Sequence, residues 1–405
     1  MGSVSVNVGL AKNEITGSNS RALQAAVDYV ANLGGGTVEI DDGEFLMKDS
    51  LHLRSNIALR GQGETTVLRK CDSWTSPLTV DGDYGEEQVT VEHPTGFETG
   101  MGLTLHDDRA EGFHTTVRTI IGTEGRILKL NGPLLADLLV ERHAIAVSTF
   151  PAISGYHIKN ARIESLMVEG NKEKNAVIDG CRGGGVFLYR ANEVEVANSI
   201  VRNYNGDGIS FQQSNDIKVE NCTIYGNTQL GLHPGSGSQH PVVRGNRILE
   251  NGRIGLFLCW RVRDGIFANN EILRNSETGI SIGHKDTDNV FRDNLIMGNG
   301  LQGIHFRDEA EPMGGHRNRI VRNRIIDNGC EEQGYGIRIE GETHDIVILR
   351  NTIADTRPKG QKRQRVGVYI GPKVGQVTME ENEIDGNADR PIDDARKGTC
   401  ASSND

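Results

Sequence analysis

Short runs in which apolar and polar residues alternate recur along the chain, each opening on a glycine and closing on turn residues. Gly185-Val-Phe-Leu, Gly208-Ile-Ser-Phe, Gly255-Leu-Phe-Leu, Gly279-Ile-Ser-Ile, Gly303-Ile-His-Phe, Gly336-Ile-Arg-Ile and Gly367-Val-Tyr-Ile share one pattern, with Gly231-Leu-His-Pro as its variant. Period-two alternation predicts a strand with one face buried. Two further short strands follow in each unit, as in Ile217-Lys-Val219 then Thr223-Ile224, and Val290-Phe291 then Leu295-Ile296. A unit of about 24 residues, repeated from about Gly185 to Asn387, predicts three strands per coil and a solenoid of stacked coils.

Asparagine marks the corners. One series precedes the third strand (Asn198, Asn221, Asn246, Asn270, Asn294, Asn323, Asn351, Asn382), and a second follows it (Asn203, Asn227, Asn251, Asn275, Asn299, Asn328, Asn387). Asparagine tolerates left-handed turn geometry, and its amide can bond to its counterpart one coil away, so ladders of stacked asparagines are expected. Their role is to hold the coil corners.

Ahead of the repeats, Leu23, Ala26, Val27, Val30 and Ala31 fall at helical spacing, with Ser18 or Ser20 as the expected cap. Such a helix would close the open end of the apolar stack. The pattern breaks between Asp81 and Pro151, where Val89-Thr-Val-Glu, Gly102-Leu-Thr-Leu-His and Thr115 to Leu130, with a turn near Thr123-Glu-Gly125, predict a small inserted β subdomain. The expected divisions are residues 1–80 for the cap and first coils, 81–151 for the insertion, 152–388 for the main coils, and 389–405 for a polar, irregular tail.

The Gly-Ile-x-Ile repeats, the asparagine series and the run SRALQAAVDYVANLGGGTVEI from Ser20 to Ile40 together resemble the pectate-lyase-like β-helix superfamily over most of the chain. The resemblance implies an all-β, single-stranded right-handed parallel β-helix with an N-terminal capping helix. It also implies saccharide binding on the outer face of the first strands. It leaves the reaction open, since lyases, hydrolases, epimerases, fructotransferases and viral tailspikes all use this fold.

Composition narrows the picture further. A formal charge of −11 offers no net attraction to phosphate backbones, so nucleic acid is not an expected partner. Cys71, Cys181, Cys222, Cys259, Cys330 and Cys400 are scattered without CxxC pairing, which predicts free thiols and neither a disulfide framework nor a zinc site. No apolar run is long enough to span a bilayer, so no membrane segment is expected, and the N-terminus lacks a signal-peptide pattern. Either a cytoplasmic chain or one exported with its signal removed fits. By analogy with the fold, a monomer or a homotrimer is expected.

Coils stack about 4.8 Å apart, so equal positions in successive units become neighbours. Counting from the unit glycine, the outward second position reads Phe187, Ser210, His233, Phe257, Ser281, His305, Arg338, Tyr369. The outward fourth reads Tyr189, Gln212, Gly235, Cys259, Gly283, Arg307, Glu340, Gly371. The fifth brings Trp260, His284 and Asp308 into consecutive coils, and the sixth Arg261, Lys285 and Glu309. This cluster is the candidate site. His284, His305, Lys285, Asp308 and Glu309 are the expected catalytic groups; His233, Trp260, Arg261, Arg307 and Arg338 are the expected substrate contacts. Gly235 and Gly283 are expected to leave room for a ligand, and the Trp260 ring suits the apolar face of a sugar. Plain cross-coil pairing of Lys285 with Glu309 and His284 with Asp308 would account for the same residues. Cys259 is read as a small filler.

Abstracting the proton beside a uronate carboxylate needs that carboxylate neutralised and a base nearby. Arg261, Arg307 or Lys285 would hold it, with His284 or His305, oriented by Asp308, moving the proton. Ca²⁺ is an alternative neutraliser, although no compact acidic set stands out and no metal ligand is assigned. Mannuronan epimerases of this fold carry an Asp-Pro-His-Asp motif, where this chain has His284-Lys-Asp286 and His233-Pro234. The expectation is a lyase or C5-epimerase acting on a uronate-containing oligo- or polysaccharide. One alternative is a glycoside hydrolase or fructotransferase using carboxylates among Asp286, Asp308, Glu309 and Glu340. A non-catalytic saccharide-binding or tailspike-like protein is the other. The basic run from Arg357 to Arg365 is either a solvated loop or a guide for an anionic polymer.

Overall fold

The computed structural model describes residues 4–396. The chain forms two compact units, Met1–Tyr189 with Asn198–Ser210, and Arg190–Ala197 with Phe211–Asp405. Each is built of right-handed coils in which three short parallel strands per turn stack on their counterparts.

In the second unit the first strands are Leu232–Gly235, Leu256–Phe257, Thr278–Ile282, Gln302–Phe306, Tyr335–Ile339 and Val366–Ile370, continued by Arg390–Asp394. That last strand pairs in register with Val366–Ile370, so the expected irregular tail opens on a further first-sheet strand, while its residues 397–405, Cys400 among them, lie outside the described residues. The alternation works as the sequence implies. Leu256, Ile280, Ile304, Ile337 and Val368 stack inward and are fully buried. On the other two walls, Phe267 stacks on Phe291 at 4.8 Å, and Ile248, Ile272, Ile296, Ile325 and Ile353 fill the third. Each buried aliphatic side chain contributes about 2 kcal/mol of transfer free energy. The unit glycine is required by close approach: a Cβ on Gly279 would lie 2.6 Å from the carbonyl oxygen of Gly303 and 2.6 Å from Ile296.

The asparagine ladders form, with two corrections. Asn246, Asn270, Asn294, Asn323, Asn351 and Asn382 are linked amide to amide at 2.9–3.0 Å, and Asn227, Asn251, Asn275, Asn299 and Asn328 likewise. The second series passes through Gln364, which takes the ladder position at 3.2 Å from Asn328 and hands on to Asn387. Asn198, Asn203 and Asn221 are not ladder members. Ser199 and Cys222 occupy the ladder position beside them, Ser199 accepting from Leu166 N and Cys222 N donating to Asn246. The left-handed conformation belongs to the residue before the ladder, which is Asn198, Asn203 or Asn221 in the early coils and Glu250, Asn269, Arg274, Asp293 or Arg322 later. A ladder amide needs its side chain turned inward, and the preceding left-handed residue supplies that turn.

In the first unit, the helix Ser20–Asn32 buries Leu23, Ala26, Val27 and Val30, as the spacing implies. Its cap is Asn19, between the two expected serines, accepting from Arg21 N and Ala22 N. First-sheet strands Leu51–His52, Ile153–Tyr156 and Val186–Tyr189 pair so that His52, Ser154 and Phe187 share one outward column and Tyr156 lies beside Tyr189. Between the first two of these strands runs a six-stranded antiparallel sheet from Thr75–Pro77 to Ile145–Val147, with its own core including Leu103, Leu105, Ile120, Leu128 and Leu138.

Candidate active site

On the outer face of the first sheet in the second unit, Phe257, Ser281, His305, Arg338 and Tyr369 stand in one column, as the register count implies. The turns that leave these strands are unusual. Trp260 and Arg261 adopt φ of 64° and 63°, and His284 and Lys285 adopt 47° and 65°. Bulky side chains rarely take this region, at a cost of about 1–3 kcal/mol each, so the turns must be held by their surroundings. Arg261 N donates to His284 O at 2.9 Å and Lys285 N to Met313 O at 2.8 Å. The Trp260 ring lies 5.3 Å from that of His284 and keeps 42% of its surface exposed.

Two histidine–glutamate pairs follow. His284 Nε2 is 2.7 Å from Glu309, and His305 Nε2 is 2.8 Å from Glu340. Glu340 also accepts from Arg338 at 2.6 Å. Burial alone would raise the Glu340 carboxyl, but His305 and Arg338 outweigh it and hold the group below its ordinary value. The partner of His284 is thus Glu309 and not Asp308. Asp308 is exposed and lines a groove of about 110 Å³ with Glu340, Tyr369 and Lys373. Burial raises the Tyr369 hydroxyl, keeping it protonated.

Beneath the turns lies a layer that the register count did not reveal. Arg307 donates to Ser281 Oγ at 2.8 Å, Leu258 O at 2.9 Å and Asp286 Oδ2 at 3.3 Å, and lies across the Phe257 ring at 4.7 Å. Asp286 is fully buried and accepts from Val262 N and Gly283 N. Burial pushes its carboxyl up to about 7, with Arg307 and those backbone donors pulling the other way. The Arg307 guanidinium therefore faces protein groups. It also fills the space beside Gly283, where a Cβ would meet it at 2.7 Å, and Gln212 fills the space beside Gly235. The room expected at these two glycines is taken. His233 is buried, edge-on to Phe257 at 5.3 Å. Burial works against a Cys259 thiolate, but hydrogen bonds from His233 and His284 bring the thiol below its ordinary value. Cys259 is thus part of the buried layer. Asp286, one residue from Lys285, gave no sequence sign of its burial.

Among the described residues neither Lys285 nor Arg261 makes an ion pair, nor does Lys373 in the groove beside Tyr369. The basic run is different, since Arg357 pairs with Asp355, Arg363 with Glu331 and Arg365 with Asp389. Glu311, His316 and His344 converge. However, His316 Nδ1 accepts from His344 N, so its Nε2 carries the proton it donates to Glu311 O and has no lone pair for a metal.

A family model described as a right-handed beta helix region matches residues 165–312. No curated protein matches the sequence. Among solved structures, the A-module of the Azotobacter vinelandii mannuronan C-5 epimerase AlgE6 is similar at 16% identity and a TM-score of 0.57, over 93% of this chain and 95% of that one. An alginate lyase from Paenibacillus sp. str. FPU-7 is similar at 13% identity and 0.52, over 92% and 99%. The Dettilon tailspike protein is similar at 12% and 0.56, over 92% of this chain and 64% of its own. The chain has a right-handed parallel β-helix fold.

Proposed function

We propose that this chain is a polysaccharide lyase or C5-epimerase acting on uronate-containing saccharides at the outer first-sheet face of its second unit. The observation that carries the reading is the His305–Glu340 pair. Its Nε2 faces the carboxylate, which fixes the proton there, while Nδ1 has no hydrogen-bond partner among the described residues and presents a lone pair. His305 is thereby a base oriented by Glu340. His284 differs, because Nε2 faces Glu309 and Nδ1 lies 3.5 Å from the Arg307 guanidinium; it acts as a positioning residue for the turn that carries Lys285.

In this reading Lys285 and Arg261 neutralise the uronate carboxylate, Trp260 supports the sugar ring, and His305 removes the C5 proton. Expulsion of the C4 substituent gives an unsaturated product, with Tyr369 as a protonated donor on the same column. Return of a proton to the opposite face from Tyr369, while His305 keeps the one it removed, gives the epimer. Two similar structures are named as a mannuronan C-5 epimerase and an alginate lyase, which supports the uronate class. A carboxylate-pair hydrolase is disfavoured because Glu340, held ionised by His305 and Arg338, cannot act as the general acid.

The test is incubation with alginate, polygalacturonate and glucuronate-containing polymers, reading ultraviolet absorbance of unsaturated uronate and C5 proton exchange in D₂O by NMR. His305→Ala is expected to lose at least about 100-fold in turnover with an unchanged melting curve. Full turnover in that variant would overturn the assignment. Saccharide binding with neither product nor exchange would leave a binding protein, as the tailspike-like alternative holds.

A further inference from the structure

The first unit contains a cleft of about 320 Å³ lined by Asp49, His52, Arg118, Thr119, Asn131 and Tyr156, together with their neighbours. Its floor is the outward column of the first sheet, and its wall is the strand Thr116–Glu124 of the antiparallel sheet. The floor is a connected chain. Ser154 Oγ lies 2.9 Å from His52 Nδ1, His52 Nε2 lies 3.3 Å from Asp49 Oδ2, and the same oxygen accepts from Thr119 Oγ1 at 2.7 Å. Asp49 Oδ1 accepts from Ser50 N. His52 keeps about a third of its side chain open.

The wall carries positive charge outside any ion pair among the described residues. Arg118 is anchored by three backbone contacts, Nε and Nη2 to Pro133 O and Nη1 to Val117 O, and makes no ion pair among the described residues. Arg182 lies across the rings of Tyr189 and Phe113 and likewise makes no ion pair there. Burial lowers the Arg118 guanidinium, and repulsion from Arg182 adds to this. Two arginines that repel each other, one of them half-buried in a cleft wall and neither in an ion pair, with Glu87 acting on Arg118 only beyond ion-pair distance, are stabilised when an anion enters. Tyr156 stands near both, with 36% of its surface open to the cleft and its hydroxyl pushed up to about 12 by burial, so it remains a neutral donor.

We propose that this cleft is a binding site for a uronic acid residue: the carboxylate on Arg118, the apolar ring face on Tyr156, and ring hydroxyls on Asp49, held in place by His52, and on Asn131. A simple anion site would not need the acceptor-rich Asp49–His52 floor. A neutral-sugar site would not retain an arginine without an ion pair. The site is separate from His305, and its ligand class follows from its own residues, so it stands or falls apart from the proposed reaction.

Calorimetric titration of the full chain with D-glucuronate and D-galacturonate, alongside D-glucose and inorganic sulfate, tests this. Uronate binding with a dissociation constant on the order of 1 mM is expected, at least about tenfold tighter than glucose or sulfate. It should be retained in the Lys285→Ala, Arg261→Ala double variant, which lacks the two cations of the second-unit site, and weakened at least about tenfold in Arg118→Gln. Arg182→Gln, whose side chain anchors no strand, is expected to weaken uronate binding as well, and serves where Arg118→Gln alters the melting curve. Tyr156→Ala should weaken uronate but not sulfate. Equal affinity for glucose, sulfate as tight as uronate, no binding at several times this concentration, or loss of binding in the Lys285→Ala, Arg261→Ala double variant would each overturn the proposal.

Discussion

Arg307 and Asp286 form a pair whose two charges are taken out of water together, and its value shows when one partner is removed. Arg307→Met leaves a buried carboxylate that can only protonate or disrupt the turn. The expected loss is about 3 kcal/mol at neutral pH. It should be smaller at pH 5, because Asp286 already sits near 7 and rises further without its cation. Urea titrations of both proteins at the two pH values check this, and an equal loss at both would place the destabilisation elsewhere. At this scale the sequence was legible in columns and silent on partners. Alternation and stacking correctly aligned Ser281, His305 and Arg338. They could not choose between Asp308 and Glu309 for His284, because alternation ends where His284 and Lys285 turn left-handed and side-chain reach decides. Nor could they show that Arg307 would fold back over Gly283 instead of projecting outward.

A single coil is held at its corners by amides that bond upward, downward and to the backbone. Asn294 donates to Phe267 O and to Asn323, and accepts from the backbone and the amide of Asn270. Asn294→Ala strands several buried partners and should cost roughly 3 kcal/mol or more. Asn221 belongs to the same sequence series but is exposed, with φ of 54° and Cys222 beside it in the ladder. Asn221→Gly should therefore be within about 0.5 kcal/mol of wild type, since glycine takes that conformation without strain. Matching losses in the two variants, measured by chemical denaturation, would contradict the register described here. The two positions look alike in sequence because Asn suits either role, as a left-handed corner or as an inward amide, and only the offset from the next buried isoleucine separates them. For the same reason the ladder could pass unnoticed through Gln364, which lies beyond an enlarged loop closed by Arg357 on Asp355.

For the molecule as a whole, acid and base limbs of stability have separate, named origins. Asp288 and Asp293 are held below their ordinary values by Arg317 and Arg322. Burial would raise Asp107 and Asp355, yet backbone donors and Arg142 hold the first low, and Arg357 with the N–H groups of Gln364 and Arg363 holds the second at about 2. Such groups bind fewer protons folded than unfolded, so their stabilisation is complete above the unfolded carboxylate value and is lost as pH falls through the folded one. Asp286 has the opposite sign. Its folded value lies near 7, so the folded state holds a proton that the unfolded state has released, and its contribution declines as pH rises from about 4 through 7. The expected urea midpoint therefore peaks near about pH 5, falls steeply below about pH 4, and declines gently toward neutrality. Asp355→Asn should blunt the acid limb while lowering the maximum, and Asp286→Asn should flatten the neutral limb alone. The cross-coil surface pairs, such as Arg247 with Glu271 and Arg350 with Glu381, and the part-exposed pairs of Asp288 with Arg317 and Asp293 with Arg322, are screened, so 1 M NaCl should trim their share of the acid limb and leave the part set by the buried Asp107, Asp286 and Asp355. A profile abolished by salt would assign the pH dependence to those surface pairs and remove the buried carboxylates as its cause.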